Sequence, residues 1–301
     1  MIVLAVLETF GVVNLSTDVF QNLVLWAIGV VVLALLADSF DRRSPREEQR
    51  RLVHAAEAAA GVLPVHEVPS DRIGEGLAST LERSDRWIFR GGSGRYLRNR
   101  TLPTLATARD RDTPLLVEIL DPRDAALVRE YARYRAQQRA DSVRRPDEAD
   151  PRTIASDLLA NVYAAAWYTV NTRIRAEVLL LRSFSPLRYD IGSTALYVTV
   201  PDPTEPGLVA RAGSWYYAAI LDELQQNAHG HPQLVLPSDS KLFPERHDEV
   251  SPDVVLAGLQ AVRVRDPVTQ REAPLLTGAV APEMVDPETI AHVIFLRDAP
   301  Y

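Results

Sequence analysis

Hydrophobic positions fall into two regimes along this chain. The first is one unbroken run, Val19 to Ala37, in which Leu23 to Ala37 carries no charged or strongly polar side chain, and it stops abruptly at Asp38-Ser-Phe-Asp-Arg-Arg. A helix needs roughly 20 predominantly apolar residues to cross the hydrocarbon core, so this run predicts one transmembrane helix. A cleaved signal peptide fits less well, because such peptides open with a basic segment and no Lys or Arg precedes Arg42. Arg42, Arg43, Arg46, Arg50 and Arg51 all follow the run, and basic flanks favour the cytoplasm, which places the main domain inside. Met1 to Val13 is also apolar, but it is short and carries Glu8. It reads as an interfacial or re-entrant segment, and as a second span it would leave the main domain on the same side.

The second regime alternates short apolar stretches with helical patterns. Ser44-Pro-Arg-Glu-Glu has the cap, first-turn proline and acids of a helix start, and the pattern continues to Ala60 before Gly61 and a proline-bounded connection through Asp71. Helices are predicted over Ile73 to Arg83, Ser93 to Asp110, Asp124 to about Ala140, Thr153 to Arg175 and Ser214 to Ala228. Strands are predicted at Trp87 to Arg90, Pro114 to Leu120, Glu177 to Phe184, in two pieces between Arg188 and Val200, at Gln233 to Leu236 and finally at His292 to Arg297. Strand, helix, strand, helix is the pattern of a βαβ unit. The expected fold class is α/β: a mixed, mostly parallel sheet flanked by helices, preceded by one transmembrane helix. The boundaries read as residues 1–43 for the membrane anchor, 44–69 for a linker helix and connection, 70–250 for the main domain and 251–301 for an appendage packed on it.

Composition narrows the partners. A net charge of -7 and a pI near 5.5 argue against general nucleic-acid binding. Lys241 is the only Lys beside many Arg, a usage that suggests a GC-rich bacterial genome and makes the expected location the bacterial inner membrane. The chain has no Cys, which excludes thiolate catalysis, disulfides and cysteine metal sites.

Arg90-Gly-Gly-Ser-Gly-Arg-Tyr-Leu-Arg-Asn-Arg is the sharpest chemical signal. Glycines allow close approach of backbone N–H groups, a helix N-terminus favours negative charge, and arginines pair with phosphate oxygens. Arg90, Gly91, Gly92, Ser93, Gly94, Arg95 and Arg98 are therefore candidate ligand-binding residues, with Asp121 close by at the end of the second strand. The alternative is a tight turn with solvated arginines, since the spacing matches no nucleotide-binding signature. Ser93 lacks the final glycine of a nucleophile elbow, Arg95 standing there instead. Asp121 and Asp124 suit a metal or acid–base pair, and equally a turn and a helix cap. His229-Gly-His231 has chelating spacing, with Asp239 or His247 as further donors, but no strong fourth partner. No metal site and no cofactor is expected.

The order of elements resembles a phospholipase D-like domain. The likeness rests on Trp87-Ile-Phe-Arg-Gly-Gly-Ser-Gly-Arg-Tyr-Leu, Leu115-Leu-Val-Glu-Ile-Leu-Asp-Pro-Arg-Asp, Glu177-Val-Leu-Leu-Leu-Arg-Ser-Phe and the paired strands from Arg188 to Val200, roughly residues 70 to 240. Active members of that family carry His-x-Lys with an Asp four residues on, the His attacking phosphorus and the Lys binding phosphate. The nearest counterpart here is His231-Pro-Gln233, with Gln in place of Lys and Ser238 at the Asp position. The resemblance thus implies a catalytically degenerate domain, a sensor or binding module for a phosphate-bearing small molecule or a partner protein, and joining such a sensor to a membrane anchor suggests bacterial stress or antiviral signalling. Its other expected contacts are the lipid bilayer through Val19 to Ala37 and further copies of itself. Two alternatives stay open: a membrane-tethered hydrolase acting through Asp121, Asp124 or His231, and a structural anchor for a partner complex.

Overall fold

The computed structural model describes residues 64–107, 112–138, 150–276 and 285–295, all within one unit spanning Gly61–Tyr301. Ten strands make a single sheet: β1 Val65–Val68, β2 Trp87–Arg90, β3 Thr113–Leu120, β4 Ile174–Leu181, β5 Arg188–Gly192, β6 Ala195–Thr199, β7 Gly207–Arg211, β8 Gln233–Val235, β9 Arg263–Arg265 and β10 Glu272–Pro274. Their spatial order is β1-β7-β6-β5-β2-β3-β4-β8-β9-β10. The helices are α1 Ser70–Arg83, α2 Leu102–Thr107, α3 Ala125–Gln138, α4 Pro151–Asn171, α5 Trp215–Ala228, α6 Pro252–Ala261 and α7 Pro287–Ile294, with a wider turn of helix at Leu97–Thr101 leading into α2.

Two parts of the expected fold class need correction. The sheet is mixed but mostly antiparallel: only β2 with β3 and β3 with β4 run parallel, and the other seven pairings are antiparallel. Short connections explain three of these, β5 with β6, β6 with β7 and β9 with β10, because a short link such as Gly192 to Ala195 cannot return a strand in parallel, which takes a crossover of a dozen residues or more. The transmembrane helix is the second correction. Val19 to Ala37 lies outside the described residues, and among those described no helix is long and apolar enough to cross a membrane, so nothing below is built on a membrane span.

Helix α4 is the hub. Asp150 caps it by accepting from the Arg152 N–H at 3.1 Å, Pro151 occupies its first position, and every residue from Ile154 to Tyr168 is buried. A helix apolar all round must be covered on all sides. One side meets the sheet through the larger apolar cluster, and the other is closed by α6, α7 and residues 240–247. Here the Trp167 indole N–H donates to the Pro244 carbonyl at 2.6 Å, the Tyr163 hydroxyl to the Leu242 carbonyl at 3.1 Å, and Phe243 packs on Tyr163. The chain after residue 251 therefore supplies two sheet strands and part of this cover. Its last described element is α7, a helix capped by Asp286, where the sequence predicts a strand from His292.

Among the described helices only α5 packs on the opposite face of the sheet. It contributes Tyr217 and Leu224 to a smaller cluster with Ile88, Ile191, Leu196, Val198 and Ala210. The larger layer thus carries most of the burial, and the thinner one lies over β7, β6, β5 and β2.

Candidate functional site

The glycine-arginine loop follows β2, and its arginines turn inward. Arg98 is buried, its side chain 1% exposed. One Arg98 terminal nitrogen donates to the Asp157 carboxylate at 2.6 Å, and the other donates to the Asp157 carbonyl at 2.8 Å, Asn161 Oδ1 at 2.7 Å and the Ser93 carbonyl at 3.2 Å. Arg95 reaches the second Asp157 oxygen from its Nε at 2.9 Å. Asn161 closes the ring by donating to the Ser93 carbonyl at 2.9 Å. Burial pushes the Arg98 pKa down, against the pull of Asp157. The glycines serve this docking: Gly94 sits at φ +62°, and a Cβ there would lie 2.2 Å from Asn161 Nδ2, while one at Gly92 would lie 2.0 Å from the Tyr131 hydroxyl. Gly91 to Arg98 is thus a loop pinned to α4, its principal cations engaged by Asp157.

Asp157 and Asn161 are the residues the sequence reading missed. They stand four apart, on one face of an otherwise apolar helix. A carboxylate inside such a helix requires a buried cation, and that signal was available. Asp121 is equally local, held by Arg123 through contacts of 2.9 and 2.7 Å and by the Arg123 backbone N–H. Asp124 caps α3 by accepting from Ala126 and Leu127. Among the described residues no group of three His, Asp or Glu side chains is placed to hold a metal. An open hollow of about 550 Å³ beside Asp85, Arg86, Asp112, Pro114 and Ser193 lies at the amino ends of β2 and β3 and holds no candidate residue.

A different group converges at the carboxyl ends of the parallel strands. Register aligns Tyr189 of β5 with Arg90 of β2, Arg90 with Glu118 of β3, Glu118 with Leu179 of β4, and Leu179 with Gln233 of β8, in one row across the sheet. Ile88, two residues before Arg90, packs under α5, so strand alternation puts this row on the α5 face. Glu118 is 0% exposed, and neither of its carboxylate oxygens has a hydrogen-bond partner. Its ion pair with Arg90 Nε spans 3.4 Å, and that Nε is also buried without a hydrogen bond. Burial raises the Glu118 pKa to about 7, opposed by Arg90 and reinforced by Glu223 of α5. His231, between α5 and β8, has its Nδ1 buried and unpartnered, and burial together with Arg90 and Arg182 holds its pKa below the ordinary value. Tyr189 is raised by burial, by Glu223 and by Tyr216. A second pair, half-buried Arg188 with buried Asp190 at 2.6 Å, lies on the larger face, where Arg188 rests over the rings of Phe89 and Tyr96.

No protein-family model and no characterised protein matches this chain. Among solved structures it is similar to TrmBL2, described as an archaeal chromatin protein with a novel mode of DNA binding, at a TM-score of 0.30 and 11% identity over 71% of this chain and 69% of that one. The partner expectations are corrected accordingly. The exclusion of nucleic acid rested on net charge and pI alone and is withdrawn; the likeness to TrmBL2 is too distant to argue for or against DNA binding here. The lipid bilayer, with no described spanning helix, and a phosphate-bearing ligand on arginines already engaged by Asp157 are not carried further.

Proposed function

We propose that the described domain is a sensing and binding module whose ligand site is the crevice of Arg90, Glu118 and His231 at the carboxyl ends of β2 to β4. The observation that carries this is the unsatisfied Glu118 carboxylate at full burial. A buried polar group left without a hydrogen bond costs roughly 1–3 kcal/mol, more when charged, and groups kept against such a penalty concentrate at functional sites. Arg90 Nε and His231 Nδ1 add two further unfilled positions beside it. In terms of the phospholipase D resemblance, His231 stands at this crevice while Gln233, in the lysine position, is engaged by Glu177 at 3.1 Å. That arrangement suits recognition better than phosphoryl transfer.

Thermal unfolding of the full chain against a panel of amino acids, nucleosides and dicarboxylic acids tests the proposal. A ligand that binds here stabilises by about 2.7 kcal/mol at a hundred times its Kd, and the gain is lost in Arg90→Gln and His231→Ala. If the variants respond as the wild type does, the crevice is not the site. A second reading, acid–base catalysis, is favoured by the opposite pKa displacements of Glu118 and His231, the pattern of an acid with a base. Turnover of any panel compound, abolished by His231→Ala, would establish it over binding alone.

A further inference from the structure

We infer that α5 is a proton-controlled lid over this crevice, closed when Glu118 is protonated and lifting when Glu118 ionises. The inference rests on the binding site proposed above and assigns its regulation. Three features of the fold carry it. The first is the thin attachment of α5: only Tyr217 and Leu224 are buried, Tyr216, Ile220 and Leu221 are half-buried, and Trp215 at its start is 76% exposed. The second is the pair of glycines that bound it. Gly213 enters the helix at φ +89° with open space around it, and Gly230 follows its end with only the Asn227 carbonyl near. The third is what α5 presents to the row beneath. Glu223, exposed on α5, adds like charge that acts on Glu118, and Tyr216 and Glu223 both act on Tyr189. The sheet contributes Arg90 from β2, and the loop before β8 contributes His231, which also senses Arg182 after β4.

A neutral Glu118 asks little of this layer. An ionised one is fully buried without a hydrogen bond, with one cation 3.4 Å away and the like charge of Glu223 acting on it, so hydration by opening α5 is favoured. The sign follows from linkage. Burial raises Glu118 from 4.5 to about 7, so the closed state has its full advantage below about pH 4.5, loses it as pH rises to about 7, and changes no further above that. An opening that fully hydrates Glu118 becomes about 40-fold more favourable between pH 5 and pH 7.

Amide hydrogen exchange on the full chain without ligand, corrected for the intrinsic pH dependence of exchange, provides the test. The α5 amides are expected to exchange at least tenfold faster than those of α4 at pH 8. Their protection should fall ten- to fortyfold from pH 5 to pH 7 and level off above. In Glu118→Gln the step disappears, and in Glu223→Gln it is smaller and ends at lower pH. If α5 shares the protection of α4 at every pH, or if the step persists in Glu118→Gln, there is no such lid. The panel experiment can fail while this one succeeds, and the reverse, so the two readings are separable.

Discussion

Removing the Asp157 carboxylate separates a structural loop from a ligand-binding one. Asp157→Ala leaves the Arg98 guanidinium, 1% exposed, with carbonyl and amide acceptors but no counter-charge, and Arg95 loses its 2.9 Å contact as well. Breaking a buried pair from one side typically costs about 3–5 kcal/mol, because a charge is left uncompensated. Arg98→Met is expected to cost less, about 2–4 kcal/mol, since Arg95 still serves the carboxylate and Asn161 still donates to the Ser93 carbonyl. With both changes no isolated charge remains at Arg98, so the double variant should fall short of the summed costs by at least about 2 kcal/mol. Urea unfolding followed by far-UV circular dichroism and tryptophan fluorescence measures all three, and an unchanged m-value confirms that the same transition is compared. An Asp157→Ala cost below about 1 kcal/mol, or additivity within about 0.5 kcal/mol, would refute the claim that this ion pair pins the loop.

Two further outcomes follow from the same structure. Gly94→Ala should destabilise by at least about 2 kcal/mol in thermal or urea unfolding, combining a left-handed backbone cost with displacement of Asn161; Gly230→Ala, whose methyl meets only a carbonyl oxygen at 3.5 Å, should stay within about 0.5 kcal/mol of wild type. Glu118→Gln should remove a pH dependence: relative to the variant, wild type loses about 2–3 kcal/mol of global stability between pH 5 and pH 8, because the folded-state pKa of Glu118 is raised to about 7 and unfolding hydrates it. Parallel stability curves for the two proteins across that range would contradict the burial of Glu118.

What could be read from the sequence was whatever is written locally. The βαβ unit of β2 and β3, the long α4 and the paired strands β5 and β6 all announce themselves by runs and periods. β1 and β7 did not, because Val65 to Val68 and Gly207 to Arg211 are short segments whose strand character comes from pairing with each other and, for β7, with β6. The sheet's mostly antiparallel character escaped for the same reason, being a property of which strands meet. The glycine-arginine loop was found but its role inverted: the sequence shows cations beside glycines, and the carboxylate that engages them lies about sixty positions away on α4. Glu118 was hidden inside a strand that reads as uniformly buried, where one acid among Leu, Val and Ile should have prompted the search for Arg90.

The unequal cover of the two sheet faces divides the molecule's tolerance for change. Residues 64–107, 112–138 and 150–181, with the helices after residue 251, interlock around α4, so a substitution there is felt across the larger cluster. Residues 200–232 meet the rest mainly through the smaller cluster. A lineage could therefore replace α5, lengthen its glycine-bounded ends or alter the side chains above Arg90 and Glu118 without recasting the layer that holds the chain together. Selectivity at the crevice can then drift independently of foldedness, so the helix to compare first between diverged copies of this domain is α5.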